Sequence, residues 1–303
     1  MHLASSGEAP DSDYLKKLPL SSAKLSTLKN QTVVIKYGGN AMKKPELQQQ
    51  VGQAVVALWQ AGVRPVVVHG GGPAIAELLQ AAGVNSEFIG GHRKTTPEAM
   101  RYVEMALRGR VNGELVSLLN GYGASAVGIS GKDAKLLLAK KRFHHEDGKE
   151  IDLGQVGDVT EVNPEVIEKL LAAGYLPVVA PVGTGKLDGE DYNINADMAA
   201  GHIAGALKAA AYLVLTDVDG LRKDKDDPAS LIPAITDEEL PALKGSVIQG
   251  GMIPKIEACE IALQGGVSQV HIVNGTKPTT LLEVLLTDIP VGTTLTKGTT
   301  ASV

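Results

Sequence analysis

Short apolar runs closed by glycine alternate with stretches of helical spacing along most of the chain. The first run leads into VVIKYGGNAM, Val33 to Met42, where Val33 to Lys36 reads as the end of a buried strand. Gly38 and Gly39 follow, then a helical pattern in which Pro45 suits the first turn. The second run, RPVVVHGGGPAIAELLQAAG, sets a continuous apolar strand from Pro65 to Val68 before Gly70, Gly71 and Gly72 and a helix ending at Gly83. Strands apolar on both faces, alternating with helices, predict a parallel sheet covered on both sides. The glycine-rich turns then fall at the carboxyl edge, where such sheets bind ligands.

Further on, Thr95 or Thr96 followed by Pro97 and Glu98 predicts a helix start. Val103, Leu107, Val111, Leu115 and Leu118 continue it at spacings of three and four, a stripe expected in core or a subunit contact. Residues 124–160 read as short strands and a charged loop, KKRFHHEDGKE. His144, His145, Glu146 and Asp147 are adjacent residues on a hairpin tip and do not converge on one ion, so a solvated loop is expected. NPEVIEKLLAAG predicts a capped helix and LPVVAPV a buried strand. The glycine-rich, polar stretch GTGKLDGEDYNINAD marks a boundary near Gly183, with residues 32–183 as an N-terminal lobe and 184–303 as a C-terminal lobe. In the second lobe the pattern predicts a small-residue helix after Asp197, a strand AYLVLTDVDG, a charged loop, a helix near Asp237 to Lys244, a strand VSQVHIVNG and a helix TTLLEVLLTD. Residues 1–31 form an N-terminal extension: 1–13 are small and polar and expected to be disordered, while Tyr14 to Lys29 fits either a short helix or a loose tail.

Composition narrows the class. The 303 residues suffice for two lobes with a sizeable core, which must be aliphatic, since apolar residues make up 44% and aromatics only 3%. The net charge of −5 offers no broad basic field for nucleic acid. The single cysteine, Cys259, rules out an internal disulfide framework and suits a reducing compartment. No apolar run approaches a membrane span, and residues 1–30 lack the apolar core of a secretory signal, so the expected location is cytoplasmic.

The Gly38–Gly39 turn after Lys36 reads as a phosphate cradle or as a plain strand-to-helix turn with a solvated lysine. Asp197 opens a helix, and Lys255 follows Gly250 and Gly251 near another helix start. Two lysines bracketing an aspartate in a glycine-lined cleft suit phosphoryl transfer, where catalysis is mostly positioning and cationic stabilisation. Other phosphate motifs fail: Lys186 in GTGKLDG is followed by leucine, no HRD or DFG is present, and position 75 is isoleucine where a dinucleotide fingerprint needs glycine. His69, before the second glycine loop, is expected to pack or hydrogen-bond rather than catalyse.

KYGGNAM, VHGGGPAI, GHRKTTPEAM, YNINADMAA, TDVDGL and GGMIPK, in this order, resemble the amino-acid kinase family from about Thr32 onward. The resemblance implies a two-lobed three-layer αβα sandwich with a central, mainly parallel sheet. It implies ATP-dependent phosphorylation of the side-chain carboxylate of N-acetyl-L-glutamate, a step towards ornithine and arginine. Lys36 and Lys255 would stabilise the transferring group and Asp197 would organise them. Gly71, Gly72, Arg93 and Asn193 would hold the substrate. Gly38, Gly39, Gly251 and the stretch Thr216, Asp217, Asp219, Gly220 and Leu221 would hold ATP. Mg2+ would be held mainly by phosphates and water, with no protein ligand named. A side-chain carboxylate is already ionised at neutral pH, with a pKa of about 4.3, and needs no general base.

One branch of the family is arginine-inhibited, with an N-terminal helix that joins homodimers into a hexamer. Leu281, Leu282, Glu283, Thr287, Gly292 and Thr293 fit its C-terminal pattern, with Glu283 and Gly292 the implied regulatory residues. VNGTKP departs from that branch, which has aspartate–glycine–arginine in this segment, and the N-terminal segment lacks the branch's aromatics. The alternatives are a kinase for carrier-bound aminoadipate or glutamate, and a non-catalytic regulatory protein of the same fold.

Overall fold

Five of the six residues of β1 (Thr32–Tyr37) are buried, because the strand runs through the interior of an eight-stranded sheet. The structure, a computed structural model, describes residues 18–42, 44–146, 148–224, 226–277 and 279–298. Before β1 comes α1 (Ser22–Leu28), and after it come α2 (Pro45–Gln60), β2 (Arg64–His69) and α3 (Gly72–Ala81). A small hairpin, β3 (Glu87–Ile89) and β4 (His92–Lys94), precedes α4 (Pro97–Glu104). That helix passes through a π-helical stretch, Met105–Val111, into α5 (Asn112–Gly121). The chain continues through β5 (Ala126–Ser130), β6 (Leu137–Glu146), β7 (Lys149–Val162), α6 (Glu165–Ala172), β8 (Leu176–Ala180), β9 (Val182–Gly185) and β10 (Asp191–Ile194). The remainder is α7 (Ala196–Ala206), β11 (Ala211–Thr216), β12 (Ala234–Thr236), α8 (Leu240–Leu243), α9 (Ile253–Gln264), β13 (Gln269–Asn274), α10 (Thr279–Leu286) and β14 (Thr293–Thr296).

The main sheet has the order β12–β14–β13–β11–β1–β2–β8–β5. It is parallel from β13 to β5, and β14 runs antiparallel to β13. Helices cover both faces, giving the α/β layers expected. Strand alternation sorts the side chains. Val33, Ile35 and Tyr37 pack with residues of α2, α5 and α10, whereas Val34 packs with residues of α6, α7 and α9. Lys36 shares Val34's face and so points at α7 and α9. Among the described residues no helix is long and apolar enough to cross a membrane.

Two expectations change, and two further segments take definite form. KKRFHHEDGKE is not a charged loop: Lys140 to Glu146 lie on β6 and Lys149 opens β7, in a long hairpin that closes with β9 and β10 into a second sheet. Asp147 lies outside the described residues. The stripe through α4 and α5 ends on Leu119, 3% exposed, and Leu118 instead packs beside Gly52 of α2. The boundary at 183/184 falls within β9, whose neighbour β10 pairs with β7, so GTGKLDGEDYNINAD is largely a hairpin of the second sheet. The described part of the N-terminal extension holds the helical alternative, α1, capped by Ser21, with Leu25 and Leu28 packed on the core; residues 1–17 lie outside the described chain. Cys259 is fully buried, and burial pushes its thiol pKa up.

α7 and α9 touch backbone to backbone. A Cβ added at Gly201 would sit 2.4 Å from the Ala258 carbonyl oxygen. Gly201→Ala is therefore expected to cost about 1–3 kcal/mol, read as a lower urea midpoint at unchanged slope.

Candidate active site

Lys36, Asp197 and Lys255 meet in one ion cluster, with Lys36 and Asp197 buried and Lys255 partly exposed. Lys36 comes from β1, Asp197 from the first turn of α7 and Lys255 from the first turn of α9. Nζ of Lys36 lies 3.1 Å from Oδ1 of Asp197, as an ion pair without hydrogen-bond alignment. Nζ of Lys255 donates to Oδ2 at 3.0 Å. Asn195 explains why Asp197 faces inward: its side-chain oxygen caps α7, accepting from the N–H groups of Asp197 and Met198 at 2.8 and 3.3 Å. Tyr212 of β11, fully buried, donates its hydroxyl to the Asp197 carbonyl at 3.1 Å and pins the same turn.

Two ammonium groups face one carboxylate in a site nearly closed to water. Burial pulls the Lys36 pKa down and Lys255 adds to this, while Asp197 opposes it; the net shift is downward. Burial alone would raise the Asp197 pKa, but the two lysines outweigh it and hold the carboxyl below its usual range. The cluster thus keeps its anion ionised and carries surplus positive charge.

That surplus faces a cleft of about 370 Å³ lined by Lys36, Gly38, Gly39, Thr216, Asp217 and Lys255, among others. Lys36 lies across Gly38, where a Cβ would stand 3.0 Å from Nζ. Gly39 has φ +68°, a conformation glycine adopts without strain. The second glycine loop abuts the first, since the Gly70 N–H donates to the Tyr37 carbonyl at 2.8 Å. Open space lies beside Gly72, whereas Leu107 packs directly on Gly71. Gly251, in the turn before α9, also borders open space.

The remaining expected residues fall into four groups. Arg93 on β4 reaches the second glycine loop, donating to the Gly72 carbonyl at 3.3 Å; it also donates to the Ser86 hydroxyl and lies 4.6 Å from the Phe88 ring centre. Thr95 joins Arg93 to Asn193: its hydroxyl donates to the Arg93 carbonyl at 2.9 Å and accepts from the Asn193 amide at 3.4 Å. Asp219 is held by Lys277 at 2.7 Å, Asn274 at 2.8 Å and Arg222 at 3.1 Å. Lys277 and then Asn274 keep its carboxyl below the usual range.

Gly220 and Leu221 pack away from the cleft. Leu221 is 1% exposed, and its N–H donates to the Thr293 hydroxyl at 2.8 Å, while a Cβ at Gly220 would meet that hydroxyl at 2.5 Å. These contacts seat the loop on β14. Glu283 and Gly292 also lie elsewhere. Glu283 is on α10, and Gly292 borders a second cavity of about 590 Å³ whose lining includes Lys24 of α1, His271 and Leu285.

Sequence reasoning passed over Thr95, Tyr212, Asn274 and Lys277. Asn274 had a usable signal, since it ends a buried strand next to the strand ending in Thr216, at the ligand-binding edge.

The profile of the amino acid kinase family matches residues 31–274. An acetylglutamate kinase of Moorella thermoacetica is 49% identical over 272 residues, 88% of this chain and 92% of that one. One of Heliobacterium modesticaldum is 48% identical over 272 residues, again 88% of this chain and 92% of the relative. Among solved structures, N-acetylglutamate synthase from Neisseria gonorrhoeae, complexed with coenzyme A and N-acetyl-glutamate, aligns with a TM-score of 0.77 at 22% identity. That alignment covers 95% of this chain but 64% of the synthase, and it speaks to the fold alone.

Proposed function

The chain belongs to the amino acid kinase family, and from that premise we propose that it phosphorylates the side-chain carboxylate of N-acetyl-L-glutamate with ATP. The products are N-acetyl-L-glutamyl 5-phosphate and ADP, and the reaction is a step towards ornithine and arginine. The choice of acceptor follows the relatives named above. The observation that carries the chemistry is the Lys36–Asp197–Lys255 cluster opening on a glycine-lined cleft.

A carboxylate oxygen of the acceptor forms a bond to the γ-phosphorus while the bond to the β,γ-bridging oxygen breaks, and the electron pair leaves with ADP. Negative charge spreads over the equatorial oxygens in transit, where Lys36 and Lys255 neutralise it. Asp197 keeps both ammonium groups aimed without taking a proton. The backbone amides of Gly71 and Gly72 with Arg93 and Asn193 hold the acceptor; a guanidinium suits a carboxylate. Gly38, Gly39 and Gly251 with Thr216, Asp217 and Asp219 hold the nucleotide, on a loop seated by Gly220 and Leu221. The surplus positive charge and open glycine backbone suit a polyphosphate. Mg2+ would arrive on the phosphates and keep much of its water shell.

We place the enzyme in the cytoplasm as a homodimer, with α1 able to join dimers into a hexamer. L-arginine as effector would act near Glu283 and Gly292. The test is parallel incubation with Mg-ATP and N-acetylglutamate, free glutamate or aminoadipate, trapping acyl phosphate with hydroxylamine. Hydroxamate is expected from the acetylated substrate alone, and less of it with L-arginine present. Hydroxamate from none of the three would overturn the assignment, and an arginine-insensitive yield would remove the effector.

A further inference from the structure

This inference deepens the phosphoryl-transfer reading and concerns what aims the second glycine loop. His69 closes β2 and is fully buried. Its Nδ1 lies 2.8 Å from the Gly70 carbonyl oxygen, and its Nε2 lies 3.1 Å from Nδ2 of Asn112. A carbonyl oxygen only accepts, so Nδ1 carries the proton. The far side of the ring gives the same answer independently. Asn112 Nδ2 also lies 2.9 Å from the Val178 carbonyl oxygen and 3.4 Å from that of Ile129. Facing two acceptors, that atom is the amide nitrogen, and it donates to a bare Nε2. The ring is thus neutral, in keeping with burial drawing its pKa down to about 4.

Backbone geometry brings Asn112 to this place. It follows directly on the π-helical stretch Met105–Val111, whose wider turns shift the side chains that come after. The same stretch seats Leu107 on Gly71, where a Cβ would stand 2.6 Å from Leu107 Cδ2. Gly128 on β5 leaves room for the amide oxygen, since a Cβ there would lie 1.9 Å from Asn112 Oδ1. Buried polar side chains with each end committed are expensive to assemble and fix one geometry.

In a trans peptide the C=O and N–H point in opposite directions. When His69 Nδ1–H draws the Gly70 oxygen back to the ring, the Gly71 N–H of the same peptide unit must face the other way. We propose that His69, locked in its Nδ1–H tautomer by Asn112, is a positioning residue that turns the Gly71 N–H toward the reacting anion. The other tautomer would oppose Nε2–H to the Asn112 amide protons and a lone pair to the Gly70 oxygen, freeing this peptide to turn.

The first test is a long-range 1H–15N correlation spectrum of the full chain labelled with 15N-histidine, with His69→Asn assigning the signal. A neutral Nδ1–H ring is expected from about pH 5 to about pH 8. An Nε2–H or doubly protonated ring overturns the proposal. The second test is kinetic. Asn112→Ala is expected to raise KM for N-acetylglutamate about tenfold, with KM for ATP moved by less than about twofold. His69→Leu should do the same, whereas His69→Asn, which returns an N–H near the Nδ1 position, should bring KM back to within about threefold of the parent. Equal losses in His69→Asn and His69→Leu overturn the positioning role. If the unaltered chain phosphorylates no acceptor, the functional reading fails while the spectrum still decides the tautomer.

Discussion

Lys36→Met is expected to lower kcat by roughly 10³-fold while leaving thermal stability almost unchanged. The two halves of that expectation come from one geometry. The Lys36 ammonium is buried beside a second ammonium, and its pKa is already drawn down by burial and by Lys255. Deleting the charge relieves that burial cost, and methionine fills nearly the same space. Asp197 does not become an orphan, because Lys255 still donates to Oδ2 at 3.0 Å. What disappears is the cation that β1 delivers to the cleft, needed when phosphoryl charge is in transit. Steady-state kinetics of acyl phosphate formation and a thermal melt check both halves. A loss of kcat below about tenfold would show that Lys36 is not opposing transition-state charge.

Asp197→Asn should damage the protein in the opposite proportions. The buried Lys36 ammonium and the partly exposed Lys255 then lack a counter-charge, which costs about 3–5 kcal/mol of stability. One lysine is expected to discharge, and kcat to fall about 10²-fold. The sign with pH separates roles. Lys36, its pKa already lowered and now lacking Asp197, loses its proton at still lower pH, so raising the pH must deepen the rate loss. Were Asp197 a general base, hydroxide would replace it and activity would recover as pH rises. Stability has its own sign. The native Asp197 pKa lies below that of the unfolded chain, so its contribution is fully present above about pH 4 and fades as pH falls through the folded value. The stability gap between parent and variant should therefore be full at pH 7 and narrow in acid, as urea titrations would show.

Much of this site was legible in the sequence for identifiable reasons. Lys36 lies at the end of an apolar run, and strand alternation decides its face once the run is known to be buried on both sides. Asp197 follows a good capping residue, Asn195. The rest depended on pairings no local window contains. Asp219 meets Asn274 and Lys277 only because β11 and β13 lie side by side. Leu221 reads as a loop residue after a strand, yet Thr293 of β14 buries it. KKRFHHEDGKE looks like a solvated loop because its charges mask the alternation, but β6 and β7 carry it as a hairpin. The π-helical stretch left only a stripe whose last step fell on Leu118 instead of Leu119.

The interior place of β1 also governs the order in which the molecule can be built. β2 follows β1 closely in the chain and can join it early, but its other neighbour, β11, begins only at Ala211. Until then one edge of β1 is an unpaired strand, and until α9 emerges the Lys36–Asp197 pair lacks its second cation. A fragment that stops before β11 would therefore leave a strongly apolar strand edge unpaired and is a poor candidate for folding on its own.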